Sequence, residues 1–459
     1  MVAMLQQSRK SQFLMALFPC LVLSLCWKIL PHPALVLVAG FTPIAIMLVL
    51  RLPFLMVLLF VIFSFFRIHE VLPQLYSLKL PLLLSLASMA ALFWHIGITQ
   101  KLRVYWSREL SVLALFFGLV VIDTVMASNR PVAVAYFTSV YWKIGLMTFA
   151  IAWLTRKPSD FSLASILIVC SGALVAIVAL FNKLNGIGLI EGTRVTIGRD
   201  LGSVLGDPND LALVLMFPAA FAVSLVVGRK PGKMTLMLGL VTIPILFSAI
   251  IATQSRGGLL GILTIFGIYA WRRIKSKSLV IALAVLITAV LFAAAGISER
   301  SSGGAAEQGL DESAKGRLYA WEAAFGMALD NPLTGVGLNN FYSNYYFYSP
   351  HWDGLNHAVH STWFGVLAET GFLGLLVFVS MIVILVRSAL GSLRRIEENL
   401  DSVHPAIYAS SQATLAGLAG IAVSGTFLTH GFTWPIYIMA AFVTAVAYWV
   451  DSNLPPQRG

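Results

Sequence analysis

A helix that crosses a bilayer needs about 20 consecutive apolar residues, with roughly 17 as a lower limit. Runs of that kind follow one another through almost the whole of this 459-residue chain. They lie near 13–30, 34–50, 52–66, 80–98, 109–127, 132–154, 161–181, 208–228, 234–253, 256–271, 278–297, 362–387, 408–428 and 433–450. Within lipid every backbone polar group must be satisfied internally, and for runs this long the helix does that. The pattern predicts an all-α polytopic membrane protein of about 12–14 transmembrane helices. Runs 34–50, 52–66 and 256–271 are short and are expected to be tilted, re-entrant or interfacial. Composition agrees: 58% of residues are hydrophobic and 11% charged, against roughly 25% charged in a soluble domain. A soluble multidomain enzyme, a disordered chain and a disulfide scaffold are excluded. Cys20, Cys26 and Cys170 all fall inside apolar runs and are read as small core hydrophobes. Arg9-Lys10 ahead of run 13–30, with no small-residue cleavage site after it, predicts a retained signal-anchor helix.

The net charge of +11 does not call for nucleic acid, because basic residues of membrane proteins gather in cytoplasmic loops. With the N-terminus inside, alternation through the runs places four basic clusters on that side: Lys101/Arg103/Arg108, Arg156/Lys157, Arg229/Lys230/Lys233 and Arg272/Arg273/Lys275/Lys277. Arg387/Arg394/Arg395 joins them, and both termini are expected to be cytoplasmic. Residues 1–459 are read as a single integral membrane domain. Two outer loops stand out, near 182–207 and 298–361, the second being the longest polar segment. Within it, Leu318, Trp321, Phe325 and Leu329 recur at spacings of three and four, which predicts an amphipathic helix from Ser313 to Leu329, ended by Asn331-Pro332. That helix is expected to lie on the outer membrane face.

Ionisable residues at membrane depth are costly and by default suggest function. Arg256 sits at an outer turn, in Thr253-Gln254-Ser255-Arg256-Gly257-Gly258; Arg317 lies on the amphipathic helix; His360 stands where the chain re-enters the bilayer. Two guanidiniums can hold a diphosphate bidentately, and an imidazole can take a proton from a hydroxyl. Plainer readings stand beside these. Arg256 fits a snorkelling anchor, and Arg317 a partner of Glu322 or Asp311. His357-x-x-His360 has two-ligand spacing, yet no further Cys or carboxylates complete a metal set, and no metal is expected. Asp207-Pro208-Asn209-Asp210 has the form of a helix start. Asp123 and Lys143 are expected to form a buried ion pair. Gly335-Val336-Gly337 is no nucleotide fingerprint. The aromatic stretch from Phe341 to Trp352 reads as an interfacial belt.

Taken together, three segments resemble the bacterial O-antigen ligase and O-antigen polymerase superfamily. They are Ser255-Arg256-Gly257-Gly258; Arg317-x-x-x-Trp321 followed by Asn331-Pro332-Leu333-x-Gly335-Val336-Gly337; and His360-Ser361 with Gly371-Phe372-Leu373-Gly374. The resemblance runs from about Asp207 to Gly374. It implies a C-type glycosyltransferase architecture in the bacterial inner membrane, with its active site facing the periplasm. It also implies inverting, metal-independent transfer from undecaprenyl diphosphate, with no cofactor. Carried onto this chain, Arg256 and Arg317 match diphosphate-binding arginines and His360 the catalytic histidine. Arg194, Arg199, Asn209, Trp321 and His357 are further candidates for substrate contacts. The paired glycines Gly371 and Gly374 are expected to let a neighbouring helix approach closely.

The leading expectation is an O-antigen ligase moving a glycan to a sugar hydroxyl of lipid A–core. The alternatives are a polysaccharide polymerase, a protein-directed oligosaccharyltransferase and, remotely, a transporter of lipid-linked sugars. Transporters keep their binding groups near the midplane and show repeats; here the ionisable residues collect at the outer edge and no repeat is visible.

Overall fold

The computed structural model describes residues 33–229, 231–294 and 312–455, together with Leu17, Cys20, Leu21 and Ser24. The rest of the signal-anchor run 13–30, including Cys26, together with Lys230 and the first part of the 298–361 loop, with Asp311, lie outside the described residues. Among those described, the chain is helical, and an isolated bridge between Ile190 and Arg194 is the one trace of β-structure. The chain is an all-α polytopic membrane protein.

The helices are α1 (Pro33–Arg51), α2 (Pro53–Phe65), α3 (Leu80–Phe93), α4 (Arg108–Met126), α5 (Arg130–Leu154), α6 (Pro158–Asn185), α7 (Pro208–Val227) and α8 (Lys233–Thr253). They continue with α9 (Arg256–Arg273), α10 (Lys277–Ala294), α11 (Glu312–Asp330), α12 (Phe341–Tyr348), α13 (Thr362–Glu398), α14 (Pro405–Ser424) and α15 (Trp434–Asn453). Nine described helices are long and apolar enough to cross a membrane, or ten when α1 and α2, bent by 96° at Leu52-Pro53, are taken as one broken span. Run 256–271 forms α9, whose three arginines, Arg256, Arg272 and Arg273, leave a short apolar stretch. Helix α10 stays apolar up to Ala294, its last described residue.

Helix α7 is the central post, buried over most of its length. Helices α6, α8, α9 and α14 pack around it. Close approach depends on small residues: a Cβ on Gly258 of α9 would lie 2.5 Å from Ala212 Cβ of α7. Helices α7, α9, α13 and α15 all begin at one end of the bundle and finish at the other. The finishing end is basic. There Arg272 forks onto Glu397 at 2.6 and 2.7 Å, Arg229 meets Asp401 at 2.5 Å, and Arg395 pairs with Asp451.

Several expectations are corrected. Cys20 and Cys170 are exposed, since the outer surface of a membrane protein is itself apolar and needs no polar coat. Asp123 and Lys143 do not pair: Lys143 Nζ donates to the Ser139 carbonyl of its own helix at 2.7 Å, and the buried Asp123 leaves Oδ2 without a partner. The amphipathic helix forms, as α11, but the face it buries is Ala320, Ala323, Ala324 and Met327. Leu318, Phe325 and Leu329 point outward, and Trp321 packs flat on Phe364 at 5.0 Å.

Gly371 is not a seat for a neighbouring helix. It interrupts α13 with φ +67° and ψ −171°, and a Cβ there would sit 2.5 Å from the Pro332 carbonyl oxygen. The break releases backbone groups that grip the loop after α11: Phe372 N–H donates to Pro332 at 2.8 Å, and the Ala368 and Glu369 carbonyls accept from Val336 and Gly337 at 2.8 and 3.1 Å. Gly374 packs on Thr370 of the same helix. Gly371→Ala should therefore lower stability by about 2 kcal/mol or more, through left-handed strain and the clash. The expected readout is a lower thermal midpoint in detergent; an unchanged midpoint would remove the loop-gripping role.

Candidate active site

At the end where α7, α9, α13 and α15 begin lies a cavity of about 510 Å³. Its polar lining includes Arg67, Asp207, Asn209, Asp210, His360 and Glu369. Local sequence explains how each is presented. Asp207 caps α7, accepting from Asn209 N–H at 2.7 Å and Asp210 N–H at 3.3 Å, with Pro208 in the first turn. The expected helix start is thus present, and it aims Asn209 into the site. Gln254, at φ +52°, turns the chain out of α8, and Ser255 caps α9 by accepting from Gly258 N–H at 3.2 Å.

Asn209 ties these two helix starts together. Its Oδ1 accepts from Ser255 Oγ at 2.9 Å and from Arg194 Nη2 at 3.3 Å, while Arg194 Nε donates to the Thr253 carbonyl at 3.2 Å. Arg194, from the loop between α6 and α7, is buried there. Arg256 is the first residue of α9, and a Cβ on its neighbour Gly257 would touch Phe427 and Leu428 at 3.2 and 3.0 Å. The Arg317 guanidinium stands over the Phe427 ring, 5.8 Å from its centroid. Gly257, the neighbour of Arg256, and Arg317 thus meet the same short segment.

His360 is held from both sides. Trp321 Nε1 donates to the Val359 carbonyl at 3.1 Å. On the other side Ser361 caps α13, Thr362 N–H donates to Gly425 at 2.7 Å, and Thr362 Oγ1 to Leu428 at 2.7 Å. Between these anchors His360 takes φ +45°, a left-handed conformation that an L-residue adopts at a cost. Burial, then the Arg317 guanidinium, push the imidazole below its ordinary value of 6.5; His357 and Arg194 add to this and Asp207 opposes it. The ring is therefore neutral at pH 7, able to accept a proton.

The candidates divide accordingly. The structure brings His360, Arg317, Arg194 and Asn209 into one neighbourhood, with Arg256 at the start of α9 beside Ser255, which bonds Asn209. Trp321 braces the backbone before His360. Arg199 is exposed and does not line the cavity. His357 pairs with Asp353 at 2.9 Å, and His351 lies 3.6 Å from Glu322. Among the described residues no group of three His, Cys, Asp or Glu gathers at ligating distance.

Glu369 escaped the sequence reading although it lies within an apolar run, where any ionisable residue is a signal. It accepts from the Asn339 and Phe341 N–H groups at 2.7 and 3.3 Å, closing one wall of the cavity. Arg67, which pairs with Glu70 at 2.6 Å, carried no signal beyond its place at the end of run 52–66.

Comparison with known proteins follows the same segments. No curated protein matches the chain. Residues 240–379, which include Arg256, Arg317 and His360, match the family described as O-antigen ligase. Through that segment the chain is similar to the O-antigen ligase family.

Proposed function

We propose that the protein is an O-antigen ligase, transferring a glycan from undecaprenyl diphosphate to a sugar hydroxyl of lipid A–core at the periplasmic face of the bacterial inner membrane. The observation that carries this reading is the placement of His360 on the wall of a cavity, where burial and the nearby Arg317 favour its neutral form. The basic last turns of α9 and α13, with Arg229 just after α7, support the orientation, since basic ends favour the cytoplasm.

The chemistry follows from these groups. The acceptor hydroxyl oxygen attacks the anomeric carbon and forms the new C–O bond, and its proton passes to His360. The bond from that carbon to the phosphate oxygen breaks, and its electron pair leaves with the diphosphate. Arg256 and Arg317, with Arg194 behind them, stabilise the charge growing on the leaving group. The starts of α7, α9 and α13 add their positive dipole ends. In-line attack from the face opposite the diphosphate inverts the anomeric centre.

Protonation silences this base, so the rate should fall as pH drops through the imidazole pKa and level off above it. The apparent value should lie below 6.5. Arg317→Gln should raise it toward 6.5, read from the residual activity; an unmoved profile would separate the two groups. Purified protein in detergent, given lipid A–core as acceptor and no gradient, should release undecaprenyl diphosphate from a lipid-linked donor, and absence of release would favour transport. A lipopolysaccharide gel of a deletion strain identifies the acceptor: bare core supports ligation, and core bearing one repeat points to a polymerase.

A further inference from the structure

Against the cavity of His360 lies a second, of about 320 Å³. The two share Ser64, Arg67, Val140 and Trp434 as a common wall. Arg194, Arg256 and Arg317 line neither of them, and His360 lines only the first, not the second. Its polar lining instead comprises Ser64, Arg67, His69, Ser85, Ser139 and Lys143.

The charges there do not balance. Glu70 answers Arg67 at 2.6 Å and His69 at 3.6 Å, and it also accepts from Ser203. Lys143 has no carboxylate within ion-pair distance among the described residues, only the Ser139 carbonyl at 2.7 Å. A lysine inside a membrane-spanning helix is costly without a counter-charge. The backbone around it is also unusual: α5 passes through a π-helical turn at Phe137–Tyr141, a feature common at functional sites. That turn carries Ser139 and Val140 of the lining. Trp434, edge-on to Phe60 at 5.6 Å, provides an aromatic face to both cavities.

We infer that this second cavity is the acceptor subsite, and that it binds a phosphorylated sugar of the acceptor through Lys143 and Arg67. The inference rests on the transferase reading above. A phosphate monoester, with a charge near −2 and three acceptor oxygens, matches two cations and neighbouring hydroxyls better than a single carboxylate does. Once it is held, a hydroxyl elsewhere on the same acceptor reaches across the shared wall to His360. The diphosphate of the donor keeps its own arginines.

The test uses full-length protein in nanodiscs of neutral lipid, with natural donor and two acceptors: phosphorylated lipid A–core and the same core after enzymatic dephosphorylation. For wild type, dephosphorylation should raise the acceptor KM about tenfold, the loss expected for a charge-assisted contact. Lys143→Gln should raise KM for the phosphorylated acceptor by a similar factor and erase the difference between acceptors, leaving kcat and donor KM within about twofold. Lys143→Arg should restore most of the discrimination. Leu82→Trp, on an exposed position that lines the cavity, should raise acceptor KM by obstruction alone. Equal use of both acceptors by wild type, with transfer intact, overturns the subsite and leaves the transferase reading standing. A Lys143→Gln defect confined to kcat on both acceptors overturns it in favour of a structural role. An effect that follows added phosphatidylglycerol instead of acceptor phosphate assigns the cavity to lipid headgroups and overturns it too. Failure of wild type to transfer to either acceptor sinks the transferase reading and, with it, the subsite.

Discussion

His360→Ala should reduce turnover by about 10²–10⁴-fold, the range for loss of a general base, while donor binding is retained. The reason is geometric. His360 is presented between two anchors that do not involve its ring: the Trp321–Val359 hydrogen bond before it and the Ser361 and Thr362 contacts after it. Removing the imidazole leaves those anchors in place, and alanine at φ +45° carries the same Cβ that histidine does. Purified variant and wild type should show similar thermal midpoints and similar donor affinity, and differ in kcat. A variant that keeps near-normal kcat would show that the acceptor proton leaves by another route. His357→Ala, by contrast, should be mild, because His357 is occupied with Asp353 at the outer surface.

Arg317→Lys should cost about 10²–10³-fold in kcat, although the charge is conserved. Loss of one preorganised donor to a developing anion has that magnitude, and lysine lacks the planar fork that holds two oxygens at once. The position adds a second reason. The guanidinium stands over the Phe427 ring, next to the start of α9, and an ammonium stacks less well there. Single-turnover kinetics should place the loss on the chemical step. Near-normal activity of Arg317→Lys would reduce Arg317 to an ordinary ion-pairing residue and remove it from the diphosphate site. The same exchange at Arg199, exposed and outside the cavity lining, should leave transfer unchanged.

How much was legible varied from element to element. Segments 158–185, 208–227 and 434–453 announce themselves as spans by length and apolarity, and their caps are written locally, as Asp207-Pro208 shows. The Arg256, Arg317 and His360 segments could be found because each sits in a short recognisable pattern. Glu369 was legible in principle, as a carboxylate inside an apolar run, and was passed over. The pairing of Asp123 with Lys143 was inferred from their adjacent spans, yet spacing along two helices does not fix how each is rotated. In the fold Lys143 turns to the second cavity and Asp123 does not follow it.

By itself the sequence determined what depends on neighbours in the chain: an all-helical membrane protein, the ends of most of its helices, and the family of residues 240–379. Hydropathy, periodicity and capping act over a few turns, so they survive in a linear reading. The tertiary structure alone decided which distant groups meet. Asn209 joins Arg194 to Ser255, Phe427 meets both Gly257 and Arg317, and the break at Gly371 grips the loop from Asn331 to Gly337. It also decided that α11 buries its alanines and turns its large side chains outward. Those outcomes rest on helix rotation and close packing between segments far apart in sequence, and no local pattern encodes them.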